Sequence, residues 1–154
     1  MPIPEAGRPA PDFELPDHEG KSTRLSQFRG QSVVLYFYPR DDTPGCTKEA
    51  CAFRDDESAY QKAGAVVLGV SPDPPDSHAR FRSKFGLPFP LLADVDKKVS
   101  RLYGVWGKKK MMGREYFGVK RSTFVIGPDG IIRRVFEGVR PDGHSQEVLE
   151  ALAG

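Results

Sequence analysis

The chain is predicted to be an α/β protein, a central mixed β-sheet flanked by helices, from three features of its sequence. Val33-Val-Leu-Tyr-Phe-Tyr38 and Ala65-Val-Val-Leu-Gly-Val70 are apolar runs rich in β-branched or aromatic residues, the composition of buried strands. A helical stretch lies between them. Later, Gly127-Pro-Asp-Gly130 separates two more strand patterns, Ser122 to Ile126 and Ile131 to Phe136, and glycine with proline and aspartate is a turn signal. Strands joined first through helices and then by a hairpin put parallel and antiparallel neighbours into one sheet.

Taken in order, Met1 to Pro16 is proline-rich and should run extended over the surface, with Phe13 and Leu15 alternating inward as a short strand. Asp17-His-Glu-Gly20 reads as a turn, and Thr23 to Gly30 leads into the strand Ser32 to Tyr38. Pro39 stops that strand, since proline cannot donate to a ladder. Thr43 is a good N-cap and Pro44 suits the first helical position, so a helix is expected from there to about Lys62, ended by Gly64. After the second strand, Ser71 to Asp76 is a loop that caps a helix over about Ser77 to Phe85, with Ala79, Phe81 and Phe85 as its packing face. Leu87 to Ala93 is extended, and Asp94 caps a short helix to about Tyr103. Gly104 to Lys120 holds four glycines, the basic run Lys108-Lys-Lys110 and Met111-Met112. It reads as a long loop or an irregular hairpin, its lysines a solvated face. The closing helix spans about Gly143 to Leu152, with Val148, Leu149 and Leu152 facing inward.

At 154 residues the chain suits a single domain over 1–154. Lys and Arg number 23 against 21 Asp and Glu, a net charge of only +2, which leaves no electrostatic footprint for nucleic acid or an acidic membrane. No apolar run approaches the ~18–20 residues that span a bilayer, and Met1 to Gly7 lacks the basic and apolar regions of a signal peptide. A cytoplasmic location is expected. In that reducing setting a cysteine pair points to catalysis, redox sensing or metal binding rather than a permanent crosslink.

Both cysteines fall in Thr43-Pro-Gly-Cys46-Thr-Lys-Glu-Ala-Cys51. The cap and the proline place Cys46 in the first helical turn, where unpaired backbone N–H groups and the positive dipole end favour an anion. Thiolate is the nucleophilic form of cysteine, so Cys46 is a candidate nucleophile. Cys51 lies deeper, where the N–H groups are paired. Five residues of α-helix give about 7.5 Å of rise and roughly 140° of rotation, near or beyond the ~7 Å that a disulfide spans. Bonding the two sulfurs therefore requires local unwinding. That suits a redox switch in which one sulfur reacts and the other is recruited afterwards; two unrelated buried thiols are the alternative.

Other chemistries find little support. Cys-x4-Cys with His18, His78 and His144 scattered elsewhere offers no second ligand pair for zinc. There is no serine elbow for a hydrolase triad, no histidine placed by local pattern for a cysteine hydrolase, and no glycine-rich phosphate loop. Neither a metal nor another cofactor is expected. A protein disulfide oxidoreductase normally uses Cys-x-x-Cys, which is absent; a redox-sensing binding module is the non-enzymatic alternative.

Ala10-Pro-Asp-Phe13, the strand ending in Pro39, the pattern Pro39-x-x-x-Thr43-x-x-Cys46, and Arg121-Ser-Thr-Phe124 together resemble the peroxiredoxins. Thr43 to Cys51 resembles their bacterioferritin comigratory protein, or peroxiredoxin Q, subgroup, and Gly69-Val-Ser71, Leu91-Leu-x-Asp94 and the terminal hairpin follow in the same order. The resemblance implies a thioredoxin-like fold and a thiol peroxidase; separately, the chain is expected to be a monomer. Its substrates would be hydrogen peroxide and organic hydroperoxides, and thioredoxin or a similar dithiol protein would recycle it. It implies Cys46 as the peroxidatic cysteine, Cys51 as the resolving one, Thr43 and Arg121 as polar groups holding peroxide and thiolate, and Pro39 as the shield of the pocket. An arginine stays protonated, so Arg121 suits both a thiolate and the charge developing on a leaving oxygen. Glu49 lies in the same motif as a group to orient Arg121, against the commoner case of a glutamate on the helix surface.

Overall fold

A computed structural model describes residues 2–154. The chain forms β1 (Glu14–Pro16), β2 (Ser22–Arg24), a 3-10 turn (Leu25–Phe28), β3 (Ser32–Phe37), α1 (Pro44–Asp55), α2 (Glu57–Lys62), β4 (Ala65–Ser71) and α3 (Pro75–Phe85). It continues through β5 (Leu91–Ala93), α4 (Lys98–Leu102), β6 (Trp106–Met111), β7 (Arg114–Val119), β8 (Ser122–Ile126), β9 (Ile132–Phe136) and α5 (His144–Ala153). Five strands make the central sheet in the order β5-β4-β3-β8-β9. The pairs β3–β4 and β4–β5 are parallel, as helical crossovers require, whereas β3–β8 and β8–β9 are antiparallel. The sheet is mixed, as the order of strand and helix patterns predicts.

Period-two alternation along β3 divides the core between the two faces of the sheet. Val33, Leu35 and Phe37 join Phe13, Leu68, Tyr103 and Phe124 on one face. Val34, Tyr36 and Tyr38 join Phe53, Tyr60, Phe81 and Val148 on the other, which α1, α2, α3 and α5 cover. Cys46, Ala50 and Phe53 are the buried apolar residues of α1, spaced i, i+4, i+7 along one stripe. The reactive-looking sulfur therefore lies on the face of its helix that packs against the sheet.

Four local expectations differ from what forms. The helix expected to run to Lys62 breaks at Asp56 (φ −97°, ψ 12°) into α1 and α2. The Asp56 carboxylate accepts hydrogen bonds from the Ser145 hydroxyl (2.7 Å) and the Gln146 amide (2.9 Å), partners on α5. Helix α3 starts at Pro75 rather than Ser77, and Ala79 is exposed while His78 and Phe81 are buried. Phe81 and Phe85 thus pack inward as expected, Phe85 partly buried against the core, and His78 takes the place expected of Ala79. Of the two readings of Gly104 to Lys120, a long loop or an irregular hairpin, the hairpin forms, and β6–β7 pairs in unbroken register rather than irregularly. Met112 (φ 52°) and Gly113 (φ 79°) make its two-residue turn, and positive φ at both positions matches the strand twist. Finally, Thr43 stands at the N-cap of α1 without a capping side-chain bond. Its hydroxyl donates to the Arg40 carbonyl at 2.9 Å instead.

Lys97 (φ 62°) stands at the N-cap of α4, but Asp94 supplies the capping carboxylate, accepting from the Val99 N–H (3.1 Å), the Ser100 N–H (2.7 Å) and the Ser100 hydroxyl (2.8 Å). Among the described residues no helix is long and apolar enough to cross a membrane.

Candidate active site

The site is assembled where two neighbouring central strands present their ends. Strand β3 leads through Tyr38–Thr43 into α1, and the first intrahelical bond runs from the Thr47 N–H to the Thr43 carbonyl (2.8 Å). The N–H groups of Gly45 and Cys46 precede it and point out of the helix end. Cys46 is 2% exposed. Arg121 lies immediately before β8, whose Ser122 pairs with Phe37 at the end of β3. This register carries the guanidinium to the first turn of α1.

There Arg121 acts as a fork. One terminal nitrogen, Nη2, donates to Cys46 Sγ at 3.3 Å, and the other, Nη1, donates to Glu49 Oε1 at 2.7 Å. Burial works against the arginine's charge, but Glu49 and the Cys46 sulfur outweigh it and raise its pKa further. Gly45 eases the approach: a β-carbon there would stand 3.2 Å from Arg121 Nη2, close enough that the guanidinium would have to shift by a few tenths of an ångström. Glu49 is 1% exposed, so the helix-surface reading of this residue does not hold. Its Oε2 finds no partner among the described residues. Burial therefore pushes the carboxyl up to about 7, against the pull of Arg121.

Of the other residues singled out from the sequence, Cys51 sits in the same helix, half-buried, and both cysteines are free thiols. Thr43 lies at the start of the Cys46 turn, its hydroxyl engaged with Arg40. Pro39 is half-buried where β3 gives way to the loop. Cys46, Arg121 and Glu49 are thus joined by direct contacts, whereas the side chains of Thr43, Pro39 and Cys51 make no hydrogen bond to them. The Lys108–Lys110 run lies on β6, with Lys109 Nζ donating to the Val119 carbonyl at 2.8 Å.

The chain matches the AhpC/TSA family over residues 6–135. It belongs to that family. Among its relatives, a putative peroxiredoxin bcp of Coxiella burnetii is 49% identical over 148 residues, covering 96% of this chain and 98% of that protein. Peroxiredoxin Bcp of Bacillus subtilis is 44% identical, covering 96% and 94%. Among solved structures, the Xanthomonas campestris bacterioferritin comigratory protein, described for alkyl peroxide reduction, superposes with a TM-score of 0.90 at 38% identity, covering 97% of this chain and 98% of that one. A cysteine-to-serine variant of Xylella fastidiosa PrxQ gives a TM-score of 0.93 at 34% identity, covering 99% and 97%. The chain is therefore a peroxiredoxin of the Bcp, or Q, type, and its mixed sheet with flanking helices is the thioredoxin-like fold.

In this peroxiredoxin Glu49 should leave a mark on stability. Its folded pKa of about 7 exceeds the ordinary 4.5, so between those values the native state keeps a proton that the unfolded chain releases. The resulting stabilisation is complete below about pH 4.5 and is lost as pH rises towards 7. Glu49→Gln removes this limb. In urea unfolding from about pH 5 to pH 8, the parent should lose on the order of 1–3 kcal/mol more than the variant; parallel curves would contradict the assignment.

Proposed function

We propose that this peroxiredoxin is a thiol-dependent peroxidase whose nucleophile is Cys46. The observation that carries the reading is the Arg121 Nη2–H donor 3.3 Å from a buried sulfur at a helix N-terminus. The Cys46 thiolate attacks one oxygen of a hydroperoxide, the O–O bond breaks, and the other oxygen leaves with a proton as water or an alcohol, giving a sulfenic acid. Arg121 and the Gly45 and Cys46 N–H groups are the donors placed for the charge that develops on the oxygens. Thr43 holds the peroxide and Pro39 shields the pocket from water. Hydrogen peroxide and organic hydroperoxides are the substrates.

The α1 geometry keeps Cys51 from the sulfenic acid until the helix unwinds. Its thiol then displaces the hydroxyl from Cys46 sulfur, water leaves, and an intramolecular disulfide remains. Thioredoxin or a similar cytoplasmic dithiol protein supplies the two electrons that restore both thiols, and the enzyme works as a monomer.

Intact-mass analysis after one equivalent of hydroperoxide tests the scheme. The parent should lose two hydrogens and regain them with a dithiol protein, whereas Cys51→Ser should gain one oxygen and, with excess peroxide, two or three. A Cys51→Ser variant with unchanged thioredoxin-dependent steady-state turnover would remove Cys51 from the resolving role.

A further inference from the structure

The segment between β3 and α1 is held by a buried polar network away from the sulfur. Asp41 Oδ1 accepts the Tyr38 hydroxyl at 2.6 Å, and Oδ2 accepts the Ser77 hydroxyl at 2.8 Å and lies 2.7 Å from His78 Nδ1. The Asp41 N–H donates to Asp73 Oδ2 at 2.7 Å, and the Ser71 hydroxyl donates to that same oxygen at 2.6 Å. Asp41 is thereby tied to β4, to the β4–α3 loop and to α3. His78, fully buried, has its Nε2 3.0 Å from the Leu92 carbonyl. A carbonyl only accepts, so Nε2 carries a hydrogen, and the 2.7 Å contact on the other side of the ring places a second proton between Nδ1 and the carboxylate. Severing either partner leaves a buried polar group unpaired.

The placement gives this network a consequence for catalysis. Asp42, the next residue, has φ 57°, a left-handed conformation uncommon outside glycine that aspartate and asparagine take more readily than most residues. Thr43 and the first turn of α1 follow directly. At the far end of α1, Asp56 is tied to Ser145 and Gln146. The helix that must unwind is thus bracketed by two fixed aspartates.

We propose that Asp41 and His78 are a positioning pair: they pin the chain ahead of α1, so that Thr43 and Cys46 meet the peroxide in one geometry and unwinding stays confined to α1. The inference rests on the peroxidase reading.

Two substitutions at one position separate positioning from mere filling of space. In His78→Asn the amide NH₂ can take the place of Nδ1 and keep the bond to Asp41; in His78→Gln it reaches the Leu92 carbonyl and abandons Asp41. Stopped-flow measurement resolves the second-order oxidation of Cys46 from the later first-order disulfide step. His78→Gln should slow the first about tenfold or more, as misplacement of reacting groups does, without slowing the second, and hydrogen exchange at Asp41–Thr43 should accelerate. His78→Asn should stay within about threefold of the parent, since it keeps the Asp41 contact. Equal impairment in both variants, a parallel fall in both steps, or a His78→Gln protein indistinguishable from the parent would overturn the proposal. If His78→Gln does not fold, Ser77→Ala removes one donor to Asp41 from a half-buried position. It should slow the first step about twofold, the effect of losing one modest hydrogen bond, and an unchanged rate would overturn the proposal. A parent protein whose Cys46 does not react with peroxide overturns the peroxidase reading instead, an outcome distinct from all of these.

Discussion

Cys46→Ser is expected to lose peroxide consumption by on the order of 10³-fold or more, the scale on which covalent enzymes respond to loss of their nucleophile. A serine hydroxyl is far less acidic than a thiol and cannot present the anion that attacks an O–O bond. The exchange is nearly isosteric within the core-facing stripe of α1, so the thermal midpoint should move little. Cys51 offers no substitute. Among the described residues no arginine hydrogen-bonds to it as Arg121 does to Cys46 at 3.3 Å, although Arg54 lies near enough for its charge to be felt, and Cys51 lies beyond the first turn of α1. Continuous assay of peroxide loss with a thioredoxin system measures the effect, and residual turnover within tenfold of the parent would end the Cys46 assignment.

Arg121→Gln is the second large effect. Removing one positioned donor from an oxyanion site costs about 10²–10³-fold in other enzymes, and Arg121 serves both the sulfur and Glu49. The second-order rate of Cys46 oxidation should fall by that order. Arg121→Lys should recover little of it, because a single ammonium cannot reproduce the two-pronged geometry of a guanidinium. Loss of Arg121 also strips the buried Glu49 of its one side-chain partner among the described residues, and its pKa then rises further, since Arg121 is what lowers it. Stability of the single variant at neutral pH should drop accordingly. Arg121→Gln/Glu49→Gln should regain that stability but not the rate. Rate and stability recovering together would mean that Arg121 acts only as a structural counter-ion.

Local patterns made much of the scaffold readable. The apolar run at Val33–Tyr38, the Thr43-Pro44 helix start and the Gly127–Gly130 turn each depend on residues adjacent in sequence, where propensity and turn chemistry operate. What escaped depends on distant partners. Asp56 breaks its helix through residues 89 and 90 positions away, and nothing near Asp56 signals this. His78 is absent from the packing face that the sequence suggests for its helix, because the aspartate that lets it be buried lies 37 residues earlier. At the site itself, Thr43-Pro-Gly-Cys46 locates a candidate nucleophile through helix-terminus physics. Arg121 lies 75 positions from Cys46, so only family resemblance, not spacing, linked the two. Gly45 read as no more than part of a helix start; that its missing side chain leaves room for the guanidinium needed the fold to show.

The two halves of the site differ in how they are built. Arg121 is carried by the antiparallel ladder in which Ser122 faces Phe37, two fully buried residues of the central sheet, whereas in the proposed cycle the sulfur rides on a helix that has to come undone. Under that proposal only one half travels: on reduction of the disulfide the helix would rewind onto a cation that the sheet had kept in place, as a key returns to a lock that was not dismantled.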